Sequence, residues 1–200
     1  MALQADNVAL ELTCLTPVST LRSTQEMTPI QIRSEQSADI ERIREITELA
    51  FRGAAHTCKR EHLMVDALRK SGALTLSLVA DSDTGIVGHV ALSPVTVSEA
   101  TGEWFGLGPI SVLPEYQRRG IGSQLMQSAM SQLRSRGARG CVLVGDSHFY
   151  NRFGFRSDPA LVVPGVPPEV SLSVRFVSCN DHGTATFHKA FAEAAAAPPS

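Results

Sequence analysis

The sequence predicts an α/β (α+β) domain, and three observations carry that expectation. Two runs rich in Val, Leu and Ile, residues 74–80 and 86–97, flank the turn sequence DSDTG, as the strands of an antiparallel hairpin do. Further on, Ile121, Leu125, Ala129 and Leu133 recur every four residues with Met126 and Met130 beside them, the stripe of a helix that packs on a sheet. Between them an apolar strand, residues 110–113, closes at Pro114 and passes through a glycine-marked loop directly into that helix.

Taken in order, residues 1–28 show no sustained period and are read as a mobile extension, with the domain spanning 29–191. Ile30 and Ile32 alternate with polar neighbours as in a half-buried strand. Ser37 is placed to cap a helix in which Ile40, Ile43, Thr47 and Ala50 share a face and which ends near Gly53. A second helix is expected from about residue 58 to Lys70, with Met64, Ala67 and Leu68 inward and Gly72 as its stop. Residues 103–113 form a strand interrupted by Gly106, Gly108 and Pro109, which argues for a bulge or an unpaired stretch. A strand at 141–144 follows the long helix, a proline-rich loop covers 157–168, and strict alternation marks a strand at 172–177. The Ala-rich end, 192–200, is read as a disordered tail.

Composition narrows the function. A formal net charge of −2 gives no general reason to expect a nucleic-acid partner. The four cysteines form no CxxC pair and no metal-ligand spacing with the six histidines, so free thiols and no metal are expected. With Asp6 and Glu11 near the start and no run approaching the ~18 apolar residues of a membrane span, a cytoplasmic protein is expected, with no membrane contact.

The chemistry concentrates in residues 106–126. A helix N-terminus leaves backbone N–H groups without partners and attracts an anion. Gly120 and Gly122 remove side chains that would hold a phosphate away, and Arg118 and Arg119 add positive charge. No GxxxxGK[ST] and no GxGxxG after a strand occurs, so the nucleoside triphosphate and dinucleotide fingerprints are absent. What stands there is Q-x-x-G-x-G, from Gln117 to Gly122, after the V-x-P strand end that begins at Val112. Together with VLVGDSHFYNRFGF at residues 142–155, the segment resembles the GNAT superfamily of N-acetyltransferases, most closely its YhbS-like branch.

That resemblance implies a mixed, mainly antiparallel sheet of six to seven strands with about four helices and a splayed central strand pair. It implies acetyl-CoA as cosubstrate, held by the backbone of Ile110 and Val112 along its pantetheine arm and by Gln117, Arg118, Arg119, Gly120, Ile121, Gly122 and Ser123 at its diphosphate. Two amides let such an arm add to an open strand edge. The same resemblance makes Val112 N–H the group that polarises the thioester and Tyr150 the general acid, and makes residues 52–60 part of an acceptor wall. For Tyr150 the other reading is an aromatic packing cluster with Phe149, Phe153 and Phe155. Many relatives carry an asparagine where this chain has Leu143, so that cofactor contact is in question. The general base is not legible: Glu103, His89 and His148 are candidates, a strand histidine is ordinarily structural, and an ordered water chain also suffices. Cys141 opens a buried strand, where a thiol is inert. The expected function is direct acetyl transfer to a primary amine of a small molecule or peptide, by a monomer or homodimer. The alternatives are an acyl-CoA-binding module without turnover and a transferase for longer acyl groups.

Overall fold

The computed structural model describes residues 29–53 and 59–196. The expected extension at 1–28 and the centre of the 52–60 segment lie outside those residues.

Strand β1 (Gln31–Ser34) leads through a short turn into α1 (Ile40–Arg52), and α2 (Glu61–Lys70) follows. Ser37 opens a single 3-10 turn instead of capping α1. Ile43, Ile46 and Thr47 of α1 and Val65 and Leu68 of α2 are buried, so the inward stripe of α2 is rotated from the expected Met64 and Ala67. β2 (Leu76–Ser82) and β3 (Gly85–Glu99) form the expected hairpin, with Ser82 opposite Gly85 across Asp83 and Thr84. β4 (Trp104–Val112) pairs antiparallel with β3. Helix α3 (Ile121–Ser135) buries all six residues of the expected stripe. Then come β5 (Gly140–Val144), the single turn α4 (Ser147–Tyr150), β6 (Arg156–Ser157), β7 (Leu161–Val162), β8 (Ser171–Arg175), β9 (His182–Phe187) and α5 (Ala190–Ala196).

The main path of the sheet runs β1-β2-β3-β4-β5-β8-β6, with β9 on the far end of β3 and β7 on β9. The mixed, mainly antiparallel architecture is as expected; β4–β5 and β7–β9 are its parallel pairs. Among the described residues the count rises to nine strands and five helices: β6 and β7 are too short to show a period, and β9 and α5 pack against partners distant in the chain. The tail reading needs correction over 192–196: this stretch belongs to α5, whose Ala190 and Ala194 are buried and whose main neighbour is α2. Alanine has the highest helix propensity, and packing supplies the rest.

The two faces of the sheet carry different helices. Gly88 of β3 faces Leu125 and Ile121 of α3, whereas Ser111 of β4 bonds to Thr47 of α1 on the other side. A buried Asp181 pins one end of the β4–β5 pair: it accepts from Trp104 Nε1 at 2.9 Å and from Arg139 Nε at 3.2 Å. Three residues on, that pairing stops.

Candidate active site

The site begins as a defect in the sheet. β4 pairs with β5 through Trp104, Phe105 and Gly106. Beyond Gly106, β4 bulges: Leu107 faces Leu92 and Ile110 faces Val90, so β4 carries one more residue than β3 between those pairs. A bulge bends its strand and increases the local twist, and β4 leaves β5. Leu113 N–H donates to Val87 C=O at 3.0 Å, which makes that opposed pair a hydrogen-bonded one. Since the two kinds of pair alternate along an antiparallel ladder, the backbone groups of Ile110 and Val112 point away from β3, into the gap. The Gln117 side chain covers one of them, donating from Nε2 to Val112 C=O at 3.0 Å.

The gap runs straight into the start of α3. Arg118 and Gly120 both have left-handed backbones, φ 59° and 84°, and that double turn folds the loop over the helix end. The first bond within the helix is from Gln124 N–H to Gly120 C=O at 3.0 Å. The N–H groups of Ile121, Gly122 and Ser123 precede it and have no partner inside the helix. A Cβ placed on Gly120 would meet no atom within 4 Å, so the space beside the helix start is open.

Tyr150 supplies the opposite wall. Asp146 caps the turn that carries it, accepting from His148 N–H at 2.9 Å. The phenol ring packs edge-on against Phe149, 4.9 Å between centroids at 89°, and against the buried Phe155 at 6.0 Å. A Cβ on Gly145 would sit 2.5 Å from Cε2 of this ring, so the glycine makes room for it. Burial pushes the phenol up to about 12, with the Asp146 carboxylate acting in the same direction. Tyr150 thus belongs to a packed aromatic cluster and also lines the cleft.

Ile110, Val112, Gln117, Arg118, Gly120, Gly122, Ser123 and Tyr150 line one cleft of about 690 Å³. Arg119 and Ile121 are placed differently. The guanidinium of Arg119 lies over the Tyr116 ring at 5.2 Å, and the Ile121 side chain is in the core. Arg152, which the sequence reading missed, also lines the cleft, with its guanidinium 4.5 Å from the Phe149 ring. The R in YNRF, two residues past the end of the tyrosine turn, is its signal in the sequence.

Residues 74–157, which contain the whole cleft, match the family model for the acetyltransferase (GNAT) domain. A GNAT family acetyltransferase from Brucella melitensis, solved in complex with acetyl-CoA, is 43% identical with a TM-score of 0.73, over 82% of this chain and 99% of that one. This chain belongs to the GNAT family. Escherichia coli YhbS, solved in complex with CoA, superposes with a TM-score of 0.75 over 84% of this chain and 95% of that one, at 29% identity. In sequence, the uncharacterized N-acetyltransferase YhbS of E. coli K12 is 40% identical over 96 residues, 48% of this chain and 58% of that protein.

In this GNAT chain the expected base positions do not converge. Glu103 is exposed and borders a separate depression at the pinned end of β4. The His148 side chain is 93% exposed and bonds to Asp146. Leu143, where many relatives have asparagine, is buried in the core. Burial drives the Cys141 thiol far above its usual range, so it stays protonated. Among the described residues no three His, Cys, Asp or Glu side chains gather as a metal site, and no helix is long and apolar enough to cross a membrane.

His89 is fully buried on the α1 face of β3, and burial lowers its pKa from 6.5 to about 4. Between those values the unfolded chain holds a proton that the folded protein does not, so stability falls as pH drops from 6.5 through 4. The shift corresponds to roughly 3 kcal/mol. Urea unfolding at pH 7 and pH 4 is expected to show a loss of this order, and a His89→Gln variant is expected to lose less over the same interval.

Proposed function

We propose that this protein transfers an acetyl group from acetyl-CoA directly to a primary amine. One observation carries the reading. The gap beside Ile110 and Val112, with outward-facing backbone N–H and C=O groups, runs without a break into the uncapped start of α3. An arm with two amides ending in a diphosphate fits such a track, because strand-like backbone groups meet the amides and helix N–H groups meet the anion. The complexes of the Brucella and E. coli relatives with acetyl-CoA and CoA support the same ligand.

Acetyl-CoA, when bound, supplies an acyl group on a thiol leaving group; the chain supplies position, charge and protons. Ile110 and Val112 align the arm, and the N–H groups of Gly120, Ile121, Gly122 and Ser123 hold the diphosphate, with Arg118 adding charge and Arg119 acting from the rim. Val112 N–H donates toward the acyl oxygen, a contribution of about 3 kcal/mol in comparable sites. Tyr150, kept protonated by burial, delivers its hydroxyl proton to the departing sulfur. The acceptor enters from the α1 and α2 face, since Ile110, Val112 and Tyr150 occupy the other side of the gap.

The decisive test is thiol release from acetyl-CoA in the presence of primary amines ranging from polyamines to lysine peptides. Amine-dependent release is the expected result. Coenzyme A binding by calorimetry without release for any amine would make the protein a ligand-binding module instead.

A further inference from the structure

A row of polar side chains crosses the sheet on the face opposite the cleft. Glu35, just after β1, receives Nε and Nη2 of Arg69 from α2 at 2.9 and 3.0 Å. Ser77 of β2 donates its hydroxyl to the same carboxylate, and His89 Nε2 lies 2.8 Å from the Ser77 oxygen. Two ion-pair hydrogen bonds and the serine keep Glu35 below the usual carboxylate range despite its burial. These contacts assign the imidazole proton. Ser77 has a single hydroxyl hydrogen, and it points at the carboxylate; the hydrogen between Ser77 and His89 therefore belongs to Nε2. Nδ1 carries a bare lone pair, fully buried, and no described protein group donates to it. A buried acceptor left in this way calls for an explanation.

Its position supplies one. His89 stands directly opposite Ser111 of β4, the residue between Ile110 and Val112. Side chains so opposed share a face, with Cβ atoms roughly 4.5–5.5 Å apart. Ser111 Oγ donates to Thr47 Oγ1 at 3.3 Å, and Thr47 donates to Ile43 C=O, so Ser111 keeps its own lone pairs. Two residues with acceptor capacity to spare, His89 and Ser111, thus share one face of the β3–β4 pair. A single water satisfies both by donating one hydrogen to each, which leaves its oxygen to accept from an incoming N–H.

We propose that His89 takes the proton of the acceptor amine through one ordered water held between its Nδ1 and Ser111 Oγ. The step balances simply. An N–H bond of the acceptor's ammonium form breaks as the proton joins the water, a water proton forms the Nδ1–H bond, and the nitrogen lone pair so freed attacks the acyl carbon; no further reactant is needed. The imidazolium is stabilised by the Glu35 carboxylate, 3.9 Å from Nε2 and bridged by Ser77. Arg69 opposes it from α2, but its charge is matched by Glu35; the groups contributed by α1 and β4, Thr47 and Ser111, are neutral. Burial keeps the ring neutral at physiological pH, which leaves the Nδ1 lone pair open to a proton, and the same burial outweighs the pull of Glu35 and makes the ring a weak base. The proposal rests on the acetyl-transfer reading of the cleft.

His89→Gln retains a side-chain N–H₂ for Ser77 and deletes the Nδ1 lone pair. It is expected to bind coenzyme A within about twofold of wild type, to lower the amine-dependent kcat about 100-fold, and to remove the acidic limb of the pH–rate profile. A variant with wild-type kcat and an unchanged pH profile overturns the proposal. Imidazole ¹⁵N shifts of the wild-type protein at pH 7 provide a readout that needs neither turnover nor a stable variant. A protonated Nε2 and a hydrogen-bonded, unprotonated Nδ1 are expected; an Nδ1–H tautomer or a charged ring overturns it. Failure of the acetyl-transfer reading has a different signature, because the wild type itself then releases no thiol with any amine, and the ¹⁵N shifts still judge the site.

Discussion

Gly120→Val is expected to weaken coenzyme A binding by at least ~100-fold, about 2.7 kcal/mol, while the fold stays assembled. Two effects add. Gly120 has φ 84°, a left-handed conformation that is a genuine outlier for a β-branched residue. Relief of that strain would rotate the peptide planes that aim the first N–H groups of α3. The new methyl groups would also enter the open space beside the helix start, where the proposed diphosphate is held; a Gly120 Cβ meets no protein atom within 4 Å. That emptiness is also why the core is spared. Gly122 provides the control: a Cβ there would meet Phe149 at 3.5 Å, ordinary contact, and its φ is not in the left-handed region, so Gly122→Ala is expected to bind with much smaller loss. Calorimetric titration of both variants checks the pair, and equal affinities for Gly120→Val and wild type would remove the loop from the site.

Tyr150→Phe is expected to lower the amine-dependent kcat by about 10²–10³ at unchanged coenzyme A affinity. The ring keeps its packing against Phe149 and Phe155 in this variant, so the change isolates the hydroxyl. A pKa of about 12 means that the phenol holds its proton at every pH where the enzyme is assayed, so no alkaline limb below pH 10 belongs to this residue. The same shift favours the folded state below pH 10, and that contribution is lost as pH rises toward 12. A variant with wild-type kcat would reduce Tyr150 to a packing residue. Gly145→Ala should reproduce part of the defect, because its methyl group must displace the ring edge from 2.5 Å.

What could be read from sequence follows the range of the interactions involved. The α3 stripe and the β2–β3 hairpin are local patterns, and both stand as expected. The break in β4 was legible too, because Gly106, Gly108 and Pro109 announce it wherever the neighbouring strands lie. β9 carries little local signal: in HGTATF only Ala185 is buried, and its pairing with the far end of β3 links residues about 90 apart in the chain. α5 resembles a tail in sequence because its apolar contact is with α2 and an alanine run carries no period. The Glu35–Ser77–His89 row is the extreme case. Its members come from three strand regions, with Arg69 from a helix, and none stands in a recognisable motif; only the folded register brings them within bonding distance.

The bulge in β4 has a genetic corollary. It accommodates one residue more than β3 has opposite it, between Leu107 and Ile110. Deleting a single codon there would keep Leu107 against Leu92 and Ile110 against Val90, leaving every core side chain on its own face. It would also straighten the strand and let it zip onto β5, so that the chain would still fold while its doorway closed.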